Sequence, residues 1–219
     1  MKLFIYGASG AGIEIYDLAM RINKARNRYS RVYLIDDFQD EIEYYGTQRI
    51  HFDSCRDYLE NEDAEFIIAV GEPSARAILY KKVKDAGYKV TTLIDPQTVI
   101  SDTARIAEGC IVNYGSVISS NVVIKENCFV MLETIVGHDA VVNSSCVICP
   151  KATVGGHTVV GEESFIGIGS SILQKVNIGS HAIVGMGSMV FKEVPDGATV
   201  VGNPARITKG NAEHRVFQN

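Results

Sequence analysis

The chain has 219 residues, room for one large domain or two modest ones, with 46% apolar and 21% charged residues, as in ordinary globular proteins. Its net charge of −5, with Lys and Arg scattered and no basic run, argues against nucleic acid or an anionic membrane as the main partner. An odd number of cysteines, five, and an opening apolar run too short for a signal peptide or a bilayer span lead us to expect free thiols and a cytoplasmic location.

Leu3-Phe4-Ile5-Tyr6 reads as a buried strand, followed by Gly7-Ala8-Ser9-Gly10-Ala11-Gly12 and an amphipathic helix from about Ile13 to Arg26. Val32 to Ile35 reads as a second strand ending in Asp36-Asp37, and Phe66 to Val70 as a third ending at Gly71. A helix from Ser74 to about Ala86 and a last strand from Lys89 to Ile94 complete an alternation that predicts a parallel α/β sheet of Rossmann-like type. Such sheets bind ligands at the carboxyl ends of their strands. The glycine loop offers backbone N–H groups at a helix start, which suits phosphate, and an acidic group after the second strand suits ribose hydroxyls. The glycine spacing is GxxGxG rather than GxGxxG, so by itself it is weak support for a dinucleotide.

From Ile100 to Val190 every sixth residue is Ile or Val, sixteen positions without a gap. Neither a helix nor a two-faced sheet has that period. Small residues such as Ala104, Cys110, Ser116 and Thr134 stand two places earlier, and glycine recurs just after the aliphatic, as at Gly137, Gly155 and Gly161. This is the signature of a hexapeptide parallel β-helix, three hexads to a triangular coil. Its length is then about 25 Å at a strand spacing of roughly 4.8 Å. Cys110, Cys128 and Cys146 fall eighteen apart and should stack, as a thiol or metal cluster or, the reading we favour, as a ladder of small buried side chains. The expected organisation is residues 1–96, residues 97–209 and a mobile polar tail, 210–219.

Both halves resemble one family. YGASGxG, the IDD after the second strand, IAVG after the third and VGHDAVV inside the β-helix are similar to bacterial sugar acetyltransferases of the NeuD/PglD type, over nearly the whole chain to Val201-Gly202-Asn203-Pro204-Ala205. The resemblance implies a left-handed coil, acetyl-CoA as acyl donor, a nucleotide-linked amino sugar such as a UDP-sugar as acceptor, N-acetylation in surface glycan biosynthesis, and a homotrimer. O-acetylation of sialic acid or a related sugar is the alternative, and a non-catalytic nucleotide-sugar-binding trimer a third reading. By the same resemblance His138 is the general base and Asp139 the acid that polarises it. Ser9, Gly10 and Ala11 lie at the sugar-nucleotide phosphates, Asp36 and Asp37 near the nucleoside, and Gly71 closes the pocket. Val147, Gly156, Ile168 and Met186 border acetyl-CoA between two coils. The chain departs from many relatives at Ala11, where they carry histidine, and from well-studied amino-sugar members at Val147, where they carry a second histidine, and at Met131, where they carry asparagine, so the sugar and the acylated atom stay open.

An amine is mostly ammonium at neutral pH and a sugar hydroxyl is a weak nucleophile, so transfer needs a base. An imidazole, titrating near 6.5 in peptides, suits that task, and a neighbouring carboxylate can orient it. His157, nineteen positions on, either lines the same groove or is an exposed turn residue; His181, His51 and His214 receive no role. A covalent acyl-Cys149 is disfavoured because no histidine stands beside it at a dictated spacing. No metal is expected: β-helix carbonic anhydrases need three converging histidines, and here only His138 and His157 share a face.

Overall fold

The computed structural model describes residues 1–59 and 63–217. The first part is a six-stranded sheet built from β1 (Lys2–Tyr6), β2 (Arg31–Ile35), β3 (Ile42–Tyr44), β4 (Thr47–Ile50), β5 (Ala64–Ile68) and β6 (Lys89–Val90), in the order β3-β4-β2-β1-β5-β6. All neighbours are parallel except the β3–β4 hairpin. Helices α1 (Gly10–Arg26) and α2 (Pro73–Asp85) make the crossovers. Strand β1 is buried on both faces, which explains its unbroken apolar run. Leu3 and Ile5 pack with Ile15, Leu18 and Ile22 of α1, while Phe4 points the other way and stacks between Tyr33 and Phe66. Two elements went unread in the sequence, the β3–β4 hairpin and a 3-10 helix over Phe52–Tyr58, both in a stretch too polar to show a period.

The second part is a triangular coil of two-residue strands stacked in parallel on three faces. The first face runs from Leu93–Ile94 to Ile183–Val184, the second from Val99–Ile100 to Met189–Val190, and the third from Arg105–Ile106 to Val159–Val160. The sixth-residue aliphatics fill the interior, with Val112, Val130, Val136, Val142, Ile148, Val154, Val160 and Ile166 fully buried. The expected last strand of the α/β sheet divides: Lys89–Val90 completes that sheet, whereas Leu93–Ile94 pairs with Ile111–Val112 and opens the coil. At the far end the repeat shortens, since Val184 pairs with Val200, sixteen residues on, and an antiparallel pair, Ala198–Val201 with Arg206–Gly210, closes the stack.

The backbone takes its left-handed turn three residues after the aliphatics from Ile106 to Val184, at Asn121, Asn127, Glu133, Asp139, Ser145, Lys151 and His157 among others, and not at the glycines that directly follow the aliphatics. Those glycines answer a steric demand. A Cβ on Gly161 would lie 2.3 Å from the backbone nitrogen of Ser180 in the next coil. The three stacked cysteines are fully buried, and their thiols reach carbonyls in the next coil, at Lys125, Asn143 and Gly161. They fill space.

Helix α1 is sandwiched between the sheet and the first face of the coil, against Leu93, Ile111, Phe129 and Val147. A second tie is Arg76 of α2, fully buried and without an acidic partner among the described residues. Its guanidinium donates to the carbonyls of Ile68, Val70 and Asn127 and to Asn127 Oδ1, joining the end of β5 to a corner of the coil. The tail expected to be mobile folds back as far as Phe217. His214 stacks on His181 with ring centroids 3.9 Å apart, and the N–H groups of Val216 and Phe217 donate to the Glu72 carboxylate at 3.0 Å. The last two residues of that expectation, 218 and 219, lie outside the described residues.

Candidate active site

His138 stands two residues beyond the strand Ile135–Val136, at the corner between the second and third faces. Interior positions there are closed by the aliphatic ladder, so a side chain at the turn can only leave the coil, and the His138 side chain is 54% exposed. Asp139, next in sequence, holds a left-handed conformation with φ of 58°, which turns its carboxylate back toward the ring. His138 Nδ1 lies 2.8 Å from Asp139 Oδ2, and Asn121 Nδ2, one coil earlier, donates to Asp139 Oδ1 at 3.1 Å. The hydrogen bond from His138, then that from Asn121, holds the Asp139 carboxyl below its ordinary range. An ionised carboxylate only accepts, so Nδ1 is the donor, and in the neutral ring the lone pair falls on Nε2.

Gly156, one coil further on, underlies this ring. A Cβ there would sit 2.8 Å from His138 Nε2 and 2.9 Å from Cε1. The missing side chain is what gives the imidazole its place. His157 follows, its N–H bonded to the His138 carbonyl at 2.9 Å, its ring edge-on to that of His138 with centroids 5.1 Å apart, and its Nε2 3.7 Å from Asp139 Oδ2.

A separate cleft of about 400 Å³ opens at the carboxyl ends of β1 and β2, lined by Tyr6, Gly7, Ala8, Ser9, Asp36, Asp37, Phe38, Val70, Leu79 and Lys82 among others. Ser9 caps α1 without bonding a first-turn N–H through its side chain, so those donors face the cleft unengaged by it. A Cβ on Gly10 would meet nothing, whereas one on Gly12 would strike the Gly7 carbonyl at 1.9 Å. Of the three loop glycines, Gly10 therefore leaves the approach open and Gly12 packs the helix onto the strand. The two acids differ. Asp37 accepts from the Tyr6 hydroxyl, from Lys82 Nζ at 2.8 Å and from the Phe52 N–H at 2.8 Å. Burial would raise its carboxyl, but those donors outweigh burial and leave it lowered. Asp36 makes a local turn, accepting the Phe38 N–H at 3.0 Å. Tyr6 and Lys82 were missed in the sequence because they stand 76 residues apart with no shared pattern.

The expected site residues do not gather at one place in a single chain. Ile168 and Met186 are exposed, one coil apart, but at the corner between the first and second faces. Val147 is buried in the packing of α1 on the coil, away from any groove, because the first face is the covered one. Ala11 begins the second position of α1, and Gly71 yields its expected place in the cleft lining to Val70.

A family profile described as the PglD N-terminal domain matches residues 2–83. The whole fold superposes on the acetyltransferase domain of PglB from Neisseria gonorrhoeae FA1090, with a TM-score of 0.88 and 30% identity, over 94% of this chain and 99% of that one. That domain is also known in complex with acetyl coenzyme A. WeeI from Acinetobacter baumannii AYE matches with a TM-score of 0.87 and 28% identity, over 95% of this chain and 100% of that chain. The chain belongs to the NeuD/PglD-type family of sugar acetyltransferases. Perosamine N-acetyltransferase from Caulobacter crescentus, 24% identical, shares the fold with a TM-score of 0.87 over 95% of this chain and 97% of that one.

This acyltransferase thus has the Rossmann-like domain and left-handed hexapeptide β-helix of its family. Its cysteines offer no nucleophile of note. Burial lifts the Cys149 and Cys55 thiols to about 12, far from thiolate at neutral pH. Among the described residues no helix is long and apolar enough to cross a membrane.

Proposed function

We propose that this sugar acetyltransferase moves the acetyl group of acetyl-CoA onto the amine of a nucleotide-linked amino sugar, in the cytoplasm, with His138 as general base. The observation that carries the reading is the hydrogen-bonded His138–Asp139 pair on an exposed corner, with Gly156 clearing the space beside Nε2. The acceptor nitrogen attacks the thioester carbonyl as His138 Nε2 takes its proton, while Asp139 stabilises the imidazolium that forms. Collapse of the tetrahedral adduct breaks the carbon–sulfur bond, and the imidazolium returns the proton to the departing thiolate of CoA.

The acceptor's nucleotide occupies the cleft of residues 1–96. Phosphates lie at Ser9, Gly10 and Ala11 over the start of α1, with the Lys82 ammonium nearby, and Asp36 takes the ribose hydroxyls, since Asp37 already accepts three donors. Acetyl-CoA lies along residues 97–209. Ile168 and Met186 give an apolar strip suited to its pantetheine arm, but they sit on a different corner from His138. A homotrimer resolves that separation by setting the His138 corner of one copy against the Ile168–Met186 corner of the next. Outward-facing Val99, Val117 and Ile135 on the second face supply the apolar contact.

Incubation with acetyl-CoA and a panel of UDP- and GDP-amino sugars, alongside free sialic acid, followed by mass spectrometry, tests this. Acetylation of a nucleotide amino sugar at nitrogen is expected. Acetylation of sialic acid alone, at oxygen, would replace the acceptor, and no acetylated product from any acceptor would remove the proposal.

A further inference from the structure

A zinc-type site needs about three converging protein ligands, and the spacing of the histidines along the chain supplies only two at this corner. Folding adds the third from another residue type. His138, Asp139 and His157 each offer one donor atom, and the three atoms lie within 4.8 Å of one another. Nδ1 of His138 and Nε2 of His157 stand 2.8 and 3.7 Å from the same carboxylate oxygen, Oδ2 of Asp139. Tetrahedral bonds of roughly 2.1 Å place neighbouring donors about 3.4 Å apart, so small side-chain rotations suffice.

We propose that His138, Asp139 and His157 form a binding site for a divalent transition metal of the zinc class, and that an ion bound there switches the enzyme off. Two imidazoles and a carboxylate suit zinc, nickel or copper rather than calcium or magnesium. The frame is rigid. Asp139 and His157 hold the same left-handed place in successive coils, and the His157 N–H ties to the His138 carbonyl. The Asn121 amide engages Oδ1 of Asp139, which orients the carboxylate and leaves Oδ2 for the ion, the work of an outer-shell partner. All three residues are exposed, giving an entry path and an open coordination position. Inhibition follows from the ring's valence. Metal on Nε2 takes the lone pair that accepts the proton, and metal on Nδ1 forces the proton onto Nε2; in both cases the base is lost. The inhibitory half rests on the reading of His138 as base, and the binding half does not.

The test is a zinc titration of the chelator-treated full chain by calorimetry, in thiol-free buffer, with acetyl transfer measured in parallel. The variants are H157N, in which asparagine tolerates the left-handed backbone, and H181N, which probes another imidazole beside an acid, His181 near Glu163. Expected are one zinc per chain, affinity weakened about tenfold or more by H157N and unchanged by H181N, and inhibition of wild type that a chelator reverses. Zinc should remove a much smaller fraction of H157N's own zinc-free turnover than of wild type's. Binding equal in wild type and H157N, or no saturable binding, overturns the site. Binding that H157N weakens, without inhibition of wild type, upholds the site and instead overturns His138 as the base.

Discussion

The coil and the α/β sheet solve the same problem, burying an apolar core, by opposite means. In the coil one local rule repeats: an Ile or Val inward, a small residue near the corner, a left-handed residue to turn. Position along the chain then dictates what each side chain does, and chemistry shows as a departure from the rule, as with His138 projecting where Gly156 recedes. The sheet has no such rule. Its strands are buried on both sides, its cleft draws on β1, β2, α2 and the loops after the strands together, and Asp37 serves the packing of Tyr6 and Phe52 as much as any ligand. Repetition separates scaffold from site; an aperiodic sheet merges them.

That contrast can be broken at chosen points. Asp139→Asn keeps the turn and removes the charge, and turnover should fall about 10²- to 10⁴-fold with thermal stability little changed. Because the His138 and Asn121 hydrogen bonds lower the Asp139 carboxyl, the pair persists above the ordinary carboxylate range and is lost only as pH falls through that lowered value. Wild-type activity should therefore not titrate with this carboxylate near neutrality. Arg76→Ala severs the join between the two regions and strands the carbonyls of Ile68, Val70 and Asn127. A loss of about 3–5 kcal/mol in denaturant unfolding is expected, against less than about 0.5 kcal/mol for the exposed Lys81→Ala. Gly156→Ala displaces the His138 ring without touching the interior ladder, so kcat should drop about 10-fold or more while the unfolding midpoint stays near wild type. The smallest response belongs to the cysteines. Iodoacetamide at mild alkaline pH should leave Cys55 and Cys149 unmodified in the folded protein, as their thiols sit near 12, and should label them once the chain is unfolded.

Legibility followed the same divide. The sixth-residue period gave the coil, its stacked cysteines and the exposed corner of His138, because each strand's partner lies a fixed eighteen residues away. It did not show which of the three faces α1 would cover, and Val147 was therefore expected in a groove when it lies beneath a helix. Nor did it show the shortened last coil, where Val184 meets Val200. In the sheet, strands with continuous apolar runs were readable, and the glycine loop with Asp36 and Asp37 marked the cleft. Tyr6 and Lys82 were not readable, since only the parallel pairing of β1 with β5 and the packing of α2 bring them together. Gly156 was placed at the site for its expected nearness to acetyl-CoA, while its visible part is to make room for an imidazole.

The central assertion is that His138 accepts the acceptor's proton. Single-turnover acetyl transfer by His138→Ala, with acetyl-CoA affinity measured on the same preparation, addresses it most directly. The rate should fall at least about a hundredfold while acetyl-CoA affinity and assembly match wild type. Transfer within a few-fold of wild type would contradict it, and acetylation would then need its base elsewhere.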